Sequence, residues 1–212
     1  MARRASAPDT RAAVFAAAAG EFAARGFAAA GVDRIAAAAG VNKAMLYYHF
    51  GSKRALYHAI LQDMFDAVGA RVHAIAAGPE PAPAKVDAWV QAIFDEARAR
   101  PHFPSIMLRE LAEGVPHVDA ATLARMMHVF DGVRRILAEG QKAGVFRDVH
   151  PFLMHITILA PTVLFIARDR VIAGRRRIPA EMKAFAAPIA PQAFVRHMQE
   201  MARRTLAKDG SR

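Results

Sequence analysis

Apolar positions along this chain return at three- and four-residue intervals over nearly its whole length, and the strict alternation of a half-buried strand is scarce. Val14, Phe15, Ala18, Phe22 and Ala23 form one stripe, which predicts a first helix from Pro8-Asp9-Thr10 through Arg25, ended by Gly26. Val32, Ile35 and Ala36 predict a short second helix over the alanine run 36 to 39, and Gly40 stops it. Asn42 is the expected N-cap of a third helix, with Val41, Leu46 and Phe50 facing inward and Lys43, Ala44, Tyr47 and Tyr48 facing outward. Ser52 is the expected cap of a long helix from Lys53 to about Ala77. Its broad apolar face runs through Leu56, Ile60, Leu61, Met64, Phe65, Val68, Val72 and Ile75.

The proline-rich break at residues 78 to 83 precedes an amphipathic helix near 84 to 99, and prolines 101 and 104 punctuate the next turn. Further helices are predicted at 105 to 113, at about 119 to 143 with Leu123, Met126, Met127, Phe130, Val133 and Leu137 inward, at 150 to 173, and at 191 to 207. Residues 174 to 191, with Arg175, Arg176 and Arg177, read as a solvated loop. The predicted fold class is all-α, a three-helix head over residues 1 to 52 followed by a helical domain over 53 to 212.

Composition narrows the function. With 54% apolar residues in 212 the chain can bury a full core, and the absence of cysteine removes disulfides, thiolate metal sites and cysteine nucleophiles. The net charge is +10, and residues 1 to 58 hold eight Lys/Arg against three Asp/Glu, so half the excess lies in about a quarter of the sequence. That is the footprint of a partner with phosphate charge. Arg11, Glu21 and Arg25 interrupt the N-terminal alanine run, so it does not read as a signal peptide, and Arg3 and Arg4 read as a short arm. The most membrane-like run, Phe152 to Ala167, is about 16 residues, shorter than the ~20 a bilayer span needs. No membrane partner is expected, and the expected location is cytoplasmic.

The stretch from Phe27 to Lys53 carries the chemistry. Two short helices on a glycine turn, then two outward tyrosines, a histidine and lysines, suit a helix lying against DNA: hydroxyl and ammonium groups reach phosphates, while small or flexible side chains let a helix approach base edges. As ordinary surface or core the two tyrosines alone would be unremarkable; the whole arrangement is not.

Gly26-Phe27, Val32-Asp33-Arg34-Ile35-Ala36, Ala39-Gly40-Val41-Asn42-Lys43 and Leu46-Tyr47-Tyr48-His49-Phe50-Gly51-Ser52-Lys53-Arg54-Ala55-Leu56 together resemble the DNA-binding domain of the TetR (tetracycline-repressor-like) family. The likeness covers roughly residues 9 to 60. Gly31 stands where the family usually has a Ser or Thr cap, Ala44-Met45 replaces the commoner Gly-Thr, and Gly51 replaces a frequent proline. A looser likeness to TetR C-terminal domains runs through Phe103-Pro104, Leu108-Arg109-Glu110-Leu111, Glu139-Gly140-Gln141, Gly144-Val145-Phe146-Arg147 and His150-Pro151. It implies a helical effector domain whose last two long helices, about 150 to 173 and 191 to 207, pair with those of a second subunit.

Other chemistry is thinly supported. The four serines lie in no nucleophile elbow, no glycine loop follows a strand, and the nine histidines show no metal-binding spacing, so neither an enzyme nor a metal or other cofactor is expected. The candidate DNA-binding set is Arg34, Asn42, Lys43, Ala44, Met45, Tyr47, Tyr48, His49 and Lys53. Lys43, Ala44 and Met45 are expected at base edges, and Tyr47, Tyr48, His49 and Lys53 at phosphates. Trp89, Phe94, Phe103, Met107, Glu110, Leu111, Met127, Phe130, His155 and Leu159 are the candidate lining of an apolar effector cavity, with plain core the competing reading of the apolar ones; Glu110 either faces the cavity and selects a cationic ligand, or sits in solvent or pairs with Arg109. The expected function is a homodimeric regulator, most naturally a repressor, released from a palindromic operator by a small molecule. Two alternatives stand beside it: a non-specific architectural DNA binder, and a carrier or enzyme that retains the head.

Overall fold

In the computed structural model of the chain, the structure describes residues 7 to 173, 179 and 187 to 208; Arg3, Arg4 and the arginines 175 to 177 lie outside them. Among the described residues there are nine helices and no strand: α1 (Ala7–Ala29), α2 (Val32–Ala38), α3 (Lys43–Phe50), α4 (Lys53–Ala77), α5 (Ala82–Ala99), α6 (Phe103–Ala112), α7 (Ala120–Lys142), α8 (Pro151–Ala173) and α9 (Pro191–Leu206). The chain divides into two compact units, one of Met1–Met64 with His102–Leu123, the other of Phe65–Pro101 with Ala124–Arg212; the division falls within α4 and α7.

In the first unit the local chemistry follows the sequence closely. Gly26 breaks the helical path at φ 73°, within a continuous α1 assignment. Gly40 takes φ 67° at the turn between α2 and α3, a conformation other residues adopt only with strain. Asn42 caps α3 by accepting the Met45 amide at 2.9 Å, and Ser52 accepts the Ala55 amide at 3.0 Å. Val14, Ala18, Phe22, Ile35, Leu46, Leu56 and Tyr57 are buried together with Phe103, Ile106 and Met107 of α6, which packs on α1. Edge-to-face contacts of Tyr57 with Phe22 (4.8 Å) and Phe27 (5.0 Å) close this core.

The second unit packs α5 against α8 and α9, with Val86, Trp89, Val90, Ile93 and Phe94 buried from α5 as their spacing predicts. On α7 the buried face differs from the predicted one. Val129, Val133, Ile136 and Leu137 are buried, whereas Leu123 and Met127 are exposed and Met126 and Phe130 half-buried, so the inward stripe starts later and is rotated about the helix. Near the end of α7 the Phe146 ring lies where a Cβ at Gly140 would stand, 2.0 Å from its Cδ2. The chain folds back there through Gly144 (φ 76°), whose neighbours Val145 and Phe146 both donate to the Gly140 carbonyl.

The apolar run at 152 to 167 belongs to α8, a helix of 23 residues whose bounds agree with the expected 150 to 173. By length and composition alone, Pro151–Arg168 and Thr10–Ala29 are each long and apolar enough to cross a membrane.

Candidate functional site

The outward face of α3 is built as a presentation surface. Leu46 and Phe50 are buried and fix the helix, Phe50 meeting Phe15 at 6.5 Å and lying under the Arg11 guanidinium at 4.9 Å. Lys43 and Ala44 are exposed, Met45 is half-buried, and Tyr48 and Tyr47 are 79% and 43% exposed. Exposed aromatic hydroxyls on a rigid, capped helix are available to phosphates and base edges. Among the described residues Lys43 is held by an ion pair with Asp33 at 3.1 Å, whose carboxylate is itself largely in solvent, so the ammonium can leave it at little cost.

Three members of the expected DNA set sit differently. Arg34 is tied inward: Nε donates to Glu21 Oε1 at 2.6 Å and Nη2 donates to the Ala29 carbonyl. Burial would by itself raise Glu21, but hydrogen bonds from Arg34 and the Gly31 amide, with the charges of Arg34 and Arg25, hold its carboxyl below the usual value. Gly31 is matched to this arrangement, since a Cβ there would stand 3.0 Å from the Arg34 guanidinium carbon. His49 turns its Nε2 inward, buried with no hydrogen-bond partner among the described residues, and its ring meets Tyr48 at 5.1 Å. Lys53 lies over the Phe27 ring at 4.7 Å and donates to the Ala28 carbonyl at 3.3 Å. Desolvation first, then the Arg34 charge, hold its pKa below the usual lysine value.

The expected cavity residues are divided between the two units. Phe103, Met107, Glu110 and Leu111 belong to the first unit, and Trp89, Phe94, Met127, Phe130, His155 and Leu159 to the second. Leu111 and Met127 are 62% and 53% exposed. Glu110 is 2% exposed and committed to the fold: Oε1 accepts the Tyr57 hydroxyl at 2.6 Å and lies 2.9 Å from His117 Nδ1, and Oε2 accepts the His117 amide at 3.2 Å. Its carboxylate is therefore engaged by the protein rather than offered to a cation. An open groove of about 330 Å³ in the second unit is lined by residues 74 to 88 of α4, α5 and their turn, none of them in the expected set.

What the second unit does hold is an aromatic file: Phe152 to Phe130 at 6.4 Å, Phe130 to His155 at 6.4 Å, and His155 to Trp89 at 6.1 Å with nearly parallel rings. Trp89 is fully buried, and its Nε1 and the Nδ1 of His155 have no hydrogen-bond partner among the described residues. Sequence reasoning missed Glu21, Tyr57 and His117. Glu21 looks like any acid on an amphipathic helix, and the hydrogen-bond partner of Tyr57, Glu110, lies 53 positions away, beyond any local signal.

A short helix, a positive-φ glycine turn and a capped helix that shows lysine and tyrosine to solvent define a helix-turn-helix DNA-binding protein. Residues 14–60 match the model of the bacterial regulatory proteins of the tetR family, and residues 83–174 match a tetracyclin repressor-like C-terminal domain. The chain is similar to the HTH-type transcriptional repressor SCO4008 of Streptomyces coelicolor, 31% identical over 165 residues, which span 74% of this chain and 73% of that one. It is also similar to the repressor NicS of Pseudomonas putida, 31% identical over 142 residues, 63% of this chain and 66% of that one. Among solved structures, the ketosteroid transcriptional regulator KstR2 of Mycobacterium tuberculosis shares the fold at a TM-score of 0.72 and 21% identity, over 94% of this chain and 95% of that one. The chain belongs to the TetR family, DNA-binding transcriptional regulators with a helical C-terminal domain.

Proposed function

We propose that the protein is a homodimeric repressor that occupies a palindromic operator and leaves it when a small molecule binds its helical body. The observation that carries the DNA half is the exposed Lys43, Ala44, Tyr47 and Tyr48 face on a helix held rigid by Leu46 and Phe50. In this reading Lys43 and Ala44, with Met45 beside them, meet base edges, the tyrosines and Lys53 meet phosphates, and half-sites lie about one helical turn or more apart as dimer symmetry requires. The repressor direction is supported by the names of SCO4008 and NicS. Such a protein works in the cytoplasm, with its DNA.

The division of labour follows the chain: residues 1 to 52 read DNA and residues 53 to 212 dimerise and bind effector. Supporting the dimer, α8 leaves Leu153, Ile156 and Leu164 exposed, with Thr157 and Ala160 between them at helical spacing, an apolar face that a second copy would cover together with α9. An effector acts only through its differential affinity for the DNA-bound and free states, and α4, which like α7 contributes to both units, is one of the covalent paths between them.

The test is a gel-shift titration of the protein against DNA from its own promoter. Lys43→Ala with Tyr47→Ala is expected to lose affinity while retaining fold and dimer; unchanged affinity would remove the assignment of α3. Equal affinity for promoter and random DNA at physiological salt would favour an architectural binder.

A further inference from the structure

A buried indole N–H is normally hydrogen-bonded, and leaving one without an acceptor costs the desolvation of a polar group. Among the described residues the second unit leaves two buried ring nitrogens without a hydrogen-bond partner on adjacent rings, the indole Nε1 of Trp89 from α5 and Nδ1 of His155 from α8. They also lie at the inner end of a graded path. Phe152 is exposed on the margin of α8, Phe130 is half-buried on α7, His155 is mostly buried, and Trp89 is fully buried. A ligand that follows these rings exchanges water for aromatic surface at each step and meets its first unsatisfied polar atoms only at the end.

We infer that Trp89 and His155 form the polar end of an interior subsite for an uncharged aromatic carbonyl compound, entered along the Phe152 and Phe130 rings. The inference deepens the reading of the helical body as effector-binding and rests on it. The carbonyl oxygen accepts the Trp89 indole N–H, and His155 supplies a second hydrogen bond through Nδ1. Burial depresses the pKa of His155 to about 4, so the imidazole is neutral near pH 7 and offers no charge to an anion. The flat body of the ligand lies against the phenylalanine rings, whose offset and edge-on geometry matches the packing aromatic groups prefer.

Trp89 is the sole tryptophan of the chain, so its indole N–H gives one resonance in a ¹H–¹⁵N spectrum and reports the site directly. Full-length protein is titrated with three molecules of matched shape: acetophenone, cumene and benzoate. Acetophenone is expected to move the indole resonance downfield with saturation. Cumene, which lacks the acceptor, is expected to bind about tenfold more weakly with no downfield movement. Benzoate is expected to leave the resonance in place. His155→Phe is expected to weaken acetophenone severalfold while the indole resonance, still dispersed, reports an intact fold. If acetophenone and cumene act alike, or neither moves the resonance, the subsite is overturned whatever the His155 variant does. Operator binding is measured separately, so loss of this inference leaves the DNA-binding assignment standing, and failure of operator binding leaves the titration interpretable.

Discussion

Tyr57 and Glu110, 53 positions apart in sequence, are joined by a 2.6 Å hydrogen bond in which the phenolic hydroxyl donates to Oε1 inside the core of the first unit. Because Glu110 also accepts the His117 amide, α4, α6 and the segment after α6 share one buried carboxylate. Burial first, then the hydrogen bond and the charges of Glu110 and Glu113, push the Tyr57 pKa well above the ordinary tyrosine value. A raised folded pKa means the contribution is complete below the unfolded value near 10 and is lost as pH rises beyond it. Tyr57→Phe is therefore expected to cost about 1–3 kcal/mol at neutral pH and to flatten the loss of stability between pH 10 and 11. Urea midpoints of both proteins across that range decide it, and parallel pH slopes would refute the linkage.

In the second unit the sign reverses. Burial depresses His155 from 6.5 to about 4, so its stabilising neutral state is fully present above pH 6.5 and lost as pH falls toward 4. At 1.36 kcal/mol per pH unit, on the order of 3 kcal/mol is at stake. Thermal melts from pH 7 to pH 4 are expected to fall less steeply for His155→Phe than for the unmodified protein.

The helices and their caps were legible in the sequence because each is written locally. Asn42 and Ser52 accept the amides their positions predicted, and the glycines at 26 and 40 take the positive φ that chain breaks require. The α7 stripe was misread because Leu123, Met127 and Val129 are equally apolar, and which of them is buried depends on residues distant in sequence; the Phe146 ring seated on Gly140, across a turn, is a contact of that kind. For the site, spacing identified which face of α3 is shown to solvent but not that Arg34 is already claimed by Glu21. Periodicity tells which way a side chain points; it carries no information on what meets it there.

That contact makes Gly140 a sensitive position. An alanine would place its Cβ 2.0–2.7 Å from three carbons of the buried Phe146 ring, closer than any packed pair tolerates, so the turn or the ring must move. Gly140→Ala is expected to destabilise by about 1–3 kcal/mol alone, and by much less when combined with Phe146→Ala, which removes the clash. Denaturation of the four proteins of this cycle measures the coupling; additive costs would mean the glycine serves some other purpose.

Arg34 and Lys43 separate structural from DNA-facing charge. The Arg34 guanidinium bridges Glu21 and the Ala29 carbonyl, holding α1 to α2, whereas the Lys43 pair with Asp33 is exposed on both sides. A cation that neutralises a phosphate releases counterions, each contact adding about 0.9 to the slope of log affinity against log salt. Lys43 is placed at a base edge, so Lys43→Ala is expected to leave that slope nearly unchanged and to lower affinity for the operator about tenfold more than affinity for random DNA, with little change in melting temperature. Arg34→Ala is expected to leave slope and specificity unchanged and to make the head less stable by about 0.5–1 kcal/mol, a modest figure because the pair is partly solvent-screened. Glu21→Ala supplies the decisive third case. With its anchor gone, Arg34 is free to reach DNA, and the slope should rise above that of the unmodified protein. A fall in slope for Arg34→Ala in the presence of Glu21 would place this arginine on the phosphate backbone after all.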